Sequence, residues 1–321
     1  MKHIVCFGEA LVDFLEKPPI AGESPCFEQH AGGAPANVAA AVARLGGKSA
    51  FIGMLARDNF GDFLLEHLKS AGVNVECVTR TERARTALAF VSLGPGGERS
   101  FSFYRPPAAD LLFRPEHFPE KCFDCSAFHA CSNTLTEAPI AEATLVGMRR
   151  SRERGALVSF DVNLRPDLWP SGQEPAPRIW QALGESDLAK FSENEFDFLA
   201  ASAGGEADAL ERLFAGGVRL VVVTTGAGRV RYFTGGLSGA VPAIPVKAVD
   251  TTGAGDAFMG GLLYRLAQSG RGTDGLDGDA QRIEEDLRFA AACGAVAVSR
   301  RGSFASMPSA ELVHELLRAG G

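Results

Sequence analysis

The chain lacks an excess of basic charge. Its 32 lysines and arginines stand against 39 aspartates and glutamates, a net charge of −7 with a pI near 5.5. Such a balance argues against a basic face for nucleic acid or for an anionic membrane surface. No apolar run approaches the length of a bilayer span. Met1-Lys2-His3-Ile4-Val5-Cys6-Phe7-Gly8 carries no signal-peptide pattern and reads as a first strand. A disulfide framework is missing as well. Cys6, Cys26, Cys77, Cys122, Cys125, Cys131 and Cys293 are odd in number and scattered, which suits a reducing cytoplasm. Cys122, Cys125, His129 and Cys131 crowd together, yet no second ligand pair follows at finger spacing and Ser126 to Leu135 looks like a buried strand. Free thiols are therefore expected rather than a zinc site. Two nucleotide signatures are also absent. Gly46-Gly47-Lys48-Ser49 resembles the end of a P-loop, but Val42 stands where its first glycine belongs and a strand follows. No Gly-x-Gly-x-x-Gly follows the first strand, so dinucleotide binding is unsupported. Neither an internal repeat nor a linker long enough to force two independent domains occurs.

What is present is an alternation. The 321 residues are 46% hydrophobic and 22% charged, enough for a large core. Ile4–Gly8, Ala50–Met54, Ala156–Phe160 and Leu220–Val223 are short apolar runs of the kind covered on both faces of a parallel sheet. Pro35–Leu45 is alanine-rich and helical until Gly46-Gly47 stops it. Phe60–Ser70 places Phe60, Phe63, Leu64 and Leu68 on one helical face. The expected fold class is α/β, a mostly parallel central sheet flanked by helices. One region breaks the rhythm: Ala87–Leu93 and Arg99–Tyr104 flank Gly94-Pro95-Gly96-Gly97 and read as a hairpin, either a lid or an edge decoration. Gly270 to Gly278 reads as a flexible surface loop.

Three segments carry chemistry. In Asp250-Thr251-Thr252-Gly253-Ala254-Gly255-Asp256, small residues lead into a helix that begins near Asp256. Gly253, Ala254 and Gly255 then stand at its positive end, a place for an anion, with Asp256 beside it and kept ionised by the helix dipole. A plain helix cap is the other reading. Gly32-Gly33 before an alanine-rich helix allows close approach of a ligand, and Asn37 both donates and accepts, as a polyol requires. In Asp161-Val162-Asn163-Leu164-Arg165-Pro166, period-two alternation puts Asp161, Asn163 and Arg165 on one strand face, at the carboxyl end where α/β folds bind ligands. Arg165 suits phosphate oxygens, although a structural ion-pair network would use the same residues.

Together these segments resemble the ribokinase/pfkB family of carbohydrate kinases, from Gly8 to Pro308. Gly32-Gly33-x-x-x-Asn37 and Asp250-Thr-x-Gly-x-Gly-Asp256 carry the resemblance as a pair. It implies a ribokinase-like three-layer fold in one domain spanning 1–321, with lid segments roughly at 12–32 and 86–113. It further implies that Asp256 is the catalytic base, that Gly253, Ala254 and Gly255 form the anion hole, and that Arg165 assists. Asp13, Gly32, Gly33 and Asn37 would bind sugar hydroxyls, joined by Tyr104 and Arg105 from the lid. ATP would meet Asn163, Lys190, Ser192, Thr224, Gly226 and Gly255. Glu195 would hold hydrated Mg²⁺, and Asp250, Thr252, Ala297, Arg300, Gly302 and Ser306 a monovalent cation, expected to be K⁺. Two departures stand out: Arg229 replaces a usual glycine in the nucleotide loop, where Gly228 substitutes through a shifted turn, and Ser192 replaces asparagine in the magnesium segment.

The stretch Gly97-Glu98-Arg99-Ser100-Phe101-Ser102-Phe103-Tyr104-Arg105 with Ala109-Asp110, and Asp161-x-Asn163-Leu164-Arg165-x-x-Leu168-Trp169, resemble the fructokinase branch. That implies phosphorylation of D-fructose at its primary hydroxyl by ATP. Kinases of 2-keto-3-deoxygluconate or of ribosides have similar lids, and a catalytically silent sugar-binding regulator is the alternative from another class. A cytoplasmic protein is expected, with a small-molecule sugar and ATP as partners, and with an exposed lid sheet that offers an edge for a homodimer.

Overall fold

A computed structural model of the chain describes residues 2–17, 24–93, 99–270 and 272–319. The strands are β1 (His3–Phe7), β2 (Leu11–Glu16), β3 (Phe27–Gly32), β4 (Ser49–Ile52), β5 (Met54–Ala56), β6 (Thr79–Thr81), β7 (Leu88–Leu93), β8 (Arg99–Tyr104), β9 (Cys125–Cys131), β10 (Leu157–Asp161), β11 (Leu188–Ser192), β12 (Leu220–Thr224), β13 (Arg229–Phe233) and β14 (Ser238–Pro242). The helices are α1 (Ala34–Arg44), α2 (Asn59–Ser70), α3 (Ala138–Glu153), α4 (Ala176–Leu183), α5 (Glu193–Ala203), α6 (Glu206–Ala215), α7 (Ala254–Ser269), α8 (Ala280–Val298), α9 (Ser303–Ser306) and α10 (Ala310–Ala319).

Eight strands form the central sheet in the order β14-β13-β12-β11-β10-β9-β1-β4. The pairings from β4 across to β12 are parallel, and β13 and β14 close the far edge antiparallel. Alternation splits each strand between two cores. Ile4, Cys6, Leu157, Leu188 and Val222 face α1, α7 and α8, whereas Val5, Phe7, Val158, Phe160 and Val223 face α3, α4, α5 and α6. Burial on both faces is why these strands are apolar throughout. The expected α/β layering is thus observed.

A separate four-stranded sheet, β3-β2-β7-β8, stands where the hairpin was expected. β7 and β8 pair antiparallel; their connecting glycine turn lies outside the described residues. Among the described residues, no helix is long and apolar enough to cross a membrane, and no group of histidines, cysteines and acids is placed to hold a metal ion. His129 instead lies buried against the Ser159 hydroxyl at 3.1 Å. Burial and the nearby Lys190 charge push its pKa down to about 3, so it is neutral. All seven cysteines are free. Residues 272–278 are tied to the body of the protein: Leu276 is buried, and Arg219 bonds both Asp274 and Asp277.

Candidate active site

Helix α7 begins at Ala254, two residues before the start the sequence suggests. Gly253 is its cap at φ 75°, a left-handed conformation that a side chain resists, and a methyl there would press on Met307 Cε. Ala254 and Gly255 are the first two helical residues, so Asp256 sits in the first turn. Asn37, on α1, donates from Nδ2 to Asp256 Oδ2 at 2.7 Å, joining the two glycine-rich motifs across 219 residues of chain. Burial raises the pKa of Asp256, against the Asn37 hydrogen bond and the charges of Lys190 and Arg165. Burial outweighs that hydrogen bond and those charges, which makes the carboxylate a stronger base than a free one. Beside it lies Lys190: a methyl added at Gly255 would stand 3.0 Å from the ammonium.

Asp13 closes the opposite side. Ser303 Oγ donates to its Oδ2 at 3.1 Å, and burial pushes its pKa up to about 7, helped by the charges of Asp256 and Asp250. Gly32 is small because a methyl there would run into the Asp13 carboxylate, and Gly33 (φ 104°) lies against the backbone of Glu9 and Ala10. Arg105 is buried and pairs with Asp110 Oδ2 through Nε at 2.8 Å and Nη2 at 2.7 Å. Tyr104 is a correction. It is 66% exposed and packs edge-on to Phe90, which stacks on Phe14. In the register Asp13 aligns with Ala89 and Phe103, so the next residue along, Tyr104, points to the opposite face of the sheet.

The carboxyl ends of β10, β11 and β12 build the other flank. Strand β10 stops at Asp161, and Asn163 turns at φ 35°, the one non-glycine residue with positive φ among those described. Asp161, Asn163 and Arg165 therefore do not share a strand face: alternation ends with the ladder, after Val162 N–H bonds the Lys190 carbonyl. Asp161 turns to Lys190, whose Nζ donates to both carboxylate oxygens at 3.1 and 2.9 Å. Burial opposes the Lys190 charge, but the carboxylates of Asp161 and Glu195 outweigh it and raise its pKa. Arg165 is exposed, its Nη1 bonding the Leu164 carbonyl at 3.2 Å.

Ser192 and Glu195 form a reciprocal cap on α5: the hydroxyl accepts from Glu195 N–H, and Glu195 Oε2 accepts from Ser192 N–H at 2.7 Å. Glu195 Oε1 accepts from Leu164 N–H at 2.9 Å, tying the β10 and β11 ends together. Thr224 bonds the Phe191 carbonyl, and Gly226 (φ 62°) and Gly228 make the turn into β13, where Gly228 N–H bonds the Thr225 carbonyl at 3.1 Å. A tight turn thus forms with Arg229 already in the next strand.

Asp250 ties the late loop to this centre. Its Oδ1 accepts from Thr252 N–H at 2.8 Å and its Oδ2 from Gly302 N–H at 3.2 Å. Ala297 and Arg300 close the end of α8 through a backbone bond of 3.1 Å, and Ser306 bonds the Ser303 carbonyl. Both oxygens of the buried Asp250 carboxylate thus accept from backbone N–H groups of the two loops. Sequence reasoning missed Glu9, Asn133 and Ser303, all buried beside the assigned residues. The signal was available only for Glu9, a charge directly after a buried apolar strand. A cavity of about 190 Å³ at the amino ends of the strands, among Lys2, Cys125, Gly155, Leu263 and Gly270, carries none of these groups.

A buried carboxylate at a helix amino end, with an ammonium beside it and hydroxyl-binding groups opposite, is the arrangement of an alcohol phosphotransferase. The chain matches the pfkB family carbohydrate kinase over residues 1–310, and it belongs to that family. Fructokinase-1 of Oryza sativa subsp. japonica is 42% identical over 321 residues, 98% of each chain. The crystal structure of fructokinase from Xylella fastidiosa with bound ATP has a TM-score of 0.94 at 50% identity, covering 99% of this chain and 98% of that one. Fructokinase from Vibrio cholerae O395, in a form with fructose, ADP and calcium ion bound, has a TM-score of 0.85 at 34% identity over 99% of each chain. The fold is the ribokinase-like α/β fold.

Proposed function

We propose that this chain transfers the γ-phosphoryl group of ATP to the primary hydroxyl of D-fructose, releasing fructose 6-phosphate and ADP. The observation that carries this reading is the Asn37–Asp256 contact, which joins the sugar-side motif to the anion-side motif, in a chain akin to fructokinases along its whole length. Asp256 takes the hydroxyl proton as the acceptor oxygen bonds to phosphorus and the bond to ADP breaks. The backbone N–H groups at Gly253, Ala254 and Gly255 face the transferring charge, with Lys190 and Arg165 contributing positive charge. Asn163, Thr224 and Gly226 lie along the nucleotide side. Glu195 would hold hydrated Mg²⁺, which would supply neutralisation of the phosphate charge. The sheet of β2, β3, β7 and β8, with segments 12–32 and 86–113, acts as a lid that excludes water. Its exposed aromatic residues, Tyr104 and Phe27, also suit pairing of two copies. The free thiols fit a cytoplasmic protein.

A panel of fructose, 2-keto-3-deoxygluconate and ribosides, coupled to ADP release, tests the substrate. Fructose should give the highest kcat/KM. A faster rival would replace the sugar assignment, and sugar binding without ADP would make the protein a regulator. The Asp250–Gly302 loop should make turnover faster in K⁺ than in Na⁺; equal rates would remove the cation from the proposal.

A further inference from the structure

Glu9 is a buried carboxylate, 1% exposed, for which the chemistry above has no use. It lies two residues past the end of β1, where Ala34, Asn133 and Cys131 approach it. Its Oε1 accepts from Asn133 Nδ2 at 2.9 Å and from Ala34 N–H at 3.2 Å, the first residue of α1. The Cys131 thiol lies 3.9 Å from Oε2. The cap of α1, Gly33, makes no side-chain hydrogen bond, so Glu9 supplies that helix with its terminal acceptor from a distance of 25 residues. The Glu9 charge also acts on the buried Arg105 guanidinium.

Glu9 Oε1 also accepts from the Ala34 N–H, so it meets Asn133 as an acceptor and takes that side chain's NH₂ in place of its carbonyl. Asn133 Oδ1 is left buried and without a partner, and so is Arg105 Nη1. Asn37 repeats the device. Asp256 takes its NH₂, and its Oδ1 is likewise buried and unpartnered. Buried polar atoms without partners cost stability, so they persist where a ligand completes them. Two oriented acceptors and one oriented donor complement a polyol, whose hydroxyls do both.

We infer that Glu9 is a positioning residue for sugar recognition, orienting Asn133 so that its carbonyl oxygen, together with the Arg105 guanidinium, selects the hydroxyls of the substrate. Glutamine at position 9 keeps the shape but has an amide of its own. It can donate to Asn133 and let that side chain flip, which presents NH₂ to the sugar in place of the carbonyl.

The inference rests on the assignment of fructose to this site, and fructose-dependent ADP release by the unaltered enzyme checks that assignment first. Glu9→Gln, Asn133→Ala and the double variant are then compared. Each single change should raise KM for fructose about tenfold, the scale of one lost hydrogen bond to an oriented group, while KM for ATP stays within about twofold. In the Asn133→Ala background, Glu9→Gln should add less than about threefold, because a residue acting through another has nothing left to act on. Effects that multiply, or KM values for fructose and ATP that rise in step with a falling Tm, would reduce Glu9 to a structural support. If Glu9→Gln does not fold, Asn133→Ala alone decides: an unchanged KM for fructose overturns the inference.

Discussion

Replacing Asp13 by asparagine should stabilise the protein while weakening its hold on sugar. The Asp13 carboxyl is 7% exposed and sits near two other carboxylates, Asp256 and Asp250. Burial, partly offset by the Ser303 hydrogen bond, moves its pKa from 3.8 to about 7. The folded state therefore binds this proton more tightly than the unfolded state does. Below about pH 4 the group is protonated in both states and costs nothing. As pH rises the unfolded chain ionises first, and above about pH 7 the full penalty is present. The difference corresponds to about 4 kcal/mol, and about half of it should survive the substitution because the new amide needs partners of its own. Asparagine keeps the acceptor for Ser303. A gain of about 2 kcal/mol raises Tm by about 4 °C in a chain of this size. Thermal unfolding followed by circular dichroism, without ligand, at about pH 4 and about pH 8 reads the effect. The variant should melt higher than the parent at the upper pH and lower than it at the lower pH, by about 4 °C in each case, because the cost of the amide does not change with pH. A variant that melts lower at about pH 8, or a gap that does not change with pH, would refute the electrostatic argument.

Asp256→Asn should lower kcat by about 10³-fold, within the range of general-base removal, and leave fructose binding by calorimetry within about threefold. The Asn37 amide keeps an acceptor in that variant, so substantial turnover would mean that the proton leaves by another route. Gly253→Ala should cost about 1–2 kcal/mol of stability from its positive φ and lower kcat, since the new methyl meets Met307 and shifts the first turn of α7. Melting and steady-state rates check it, and unchanged values for both would show that the turn relaxes freely.

Much of this was legible along the chain because its causes are local. A glycine before an alanine-rich or apolar helical run marks α1 and α7, and short, mostly apolar runs mark strands covered twice, as β10 and β12 are. The same local reasoning failed where a strand ended. Asp161, Asn163 and Arg165 have the spacing of a shared face, but the ladder stops and Asn163 turns left-handed, which spacing does not reveal. Tyr104 failed for a related reason: its neighbour Arg105 is buried, but register against β2 and β7 sends Tyr104 to the other side.

The order of residues by itself determined the layered α/β architecture, the presence of a helix after the Gly253–Gly255 turn and the chemical kinds of group at each motif, because backbone sterics and side-chain periodicity act over a few residues. Only the tertiary structure decided which of those groups are dry and which face one another. Desolvation that lifts Asp13 and Asp256, the pairing of Lys190 with Asp161, and the grip of Glu9 on Asn133 all join segments tens to hundreds of residues apart. Electrostatic strength in a protein is set by exclusion of water, and water is excluded by the packed fold, not by the neighbours in the chain.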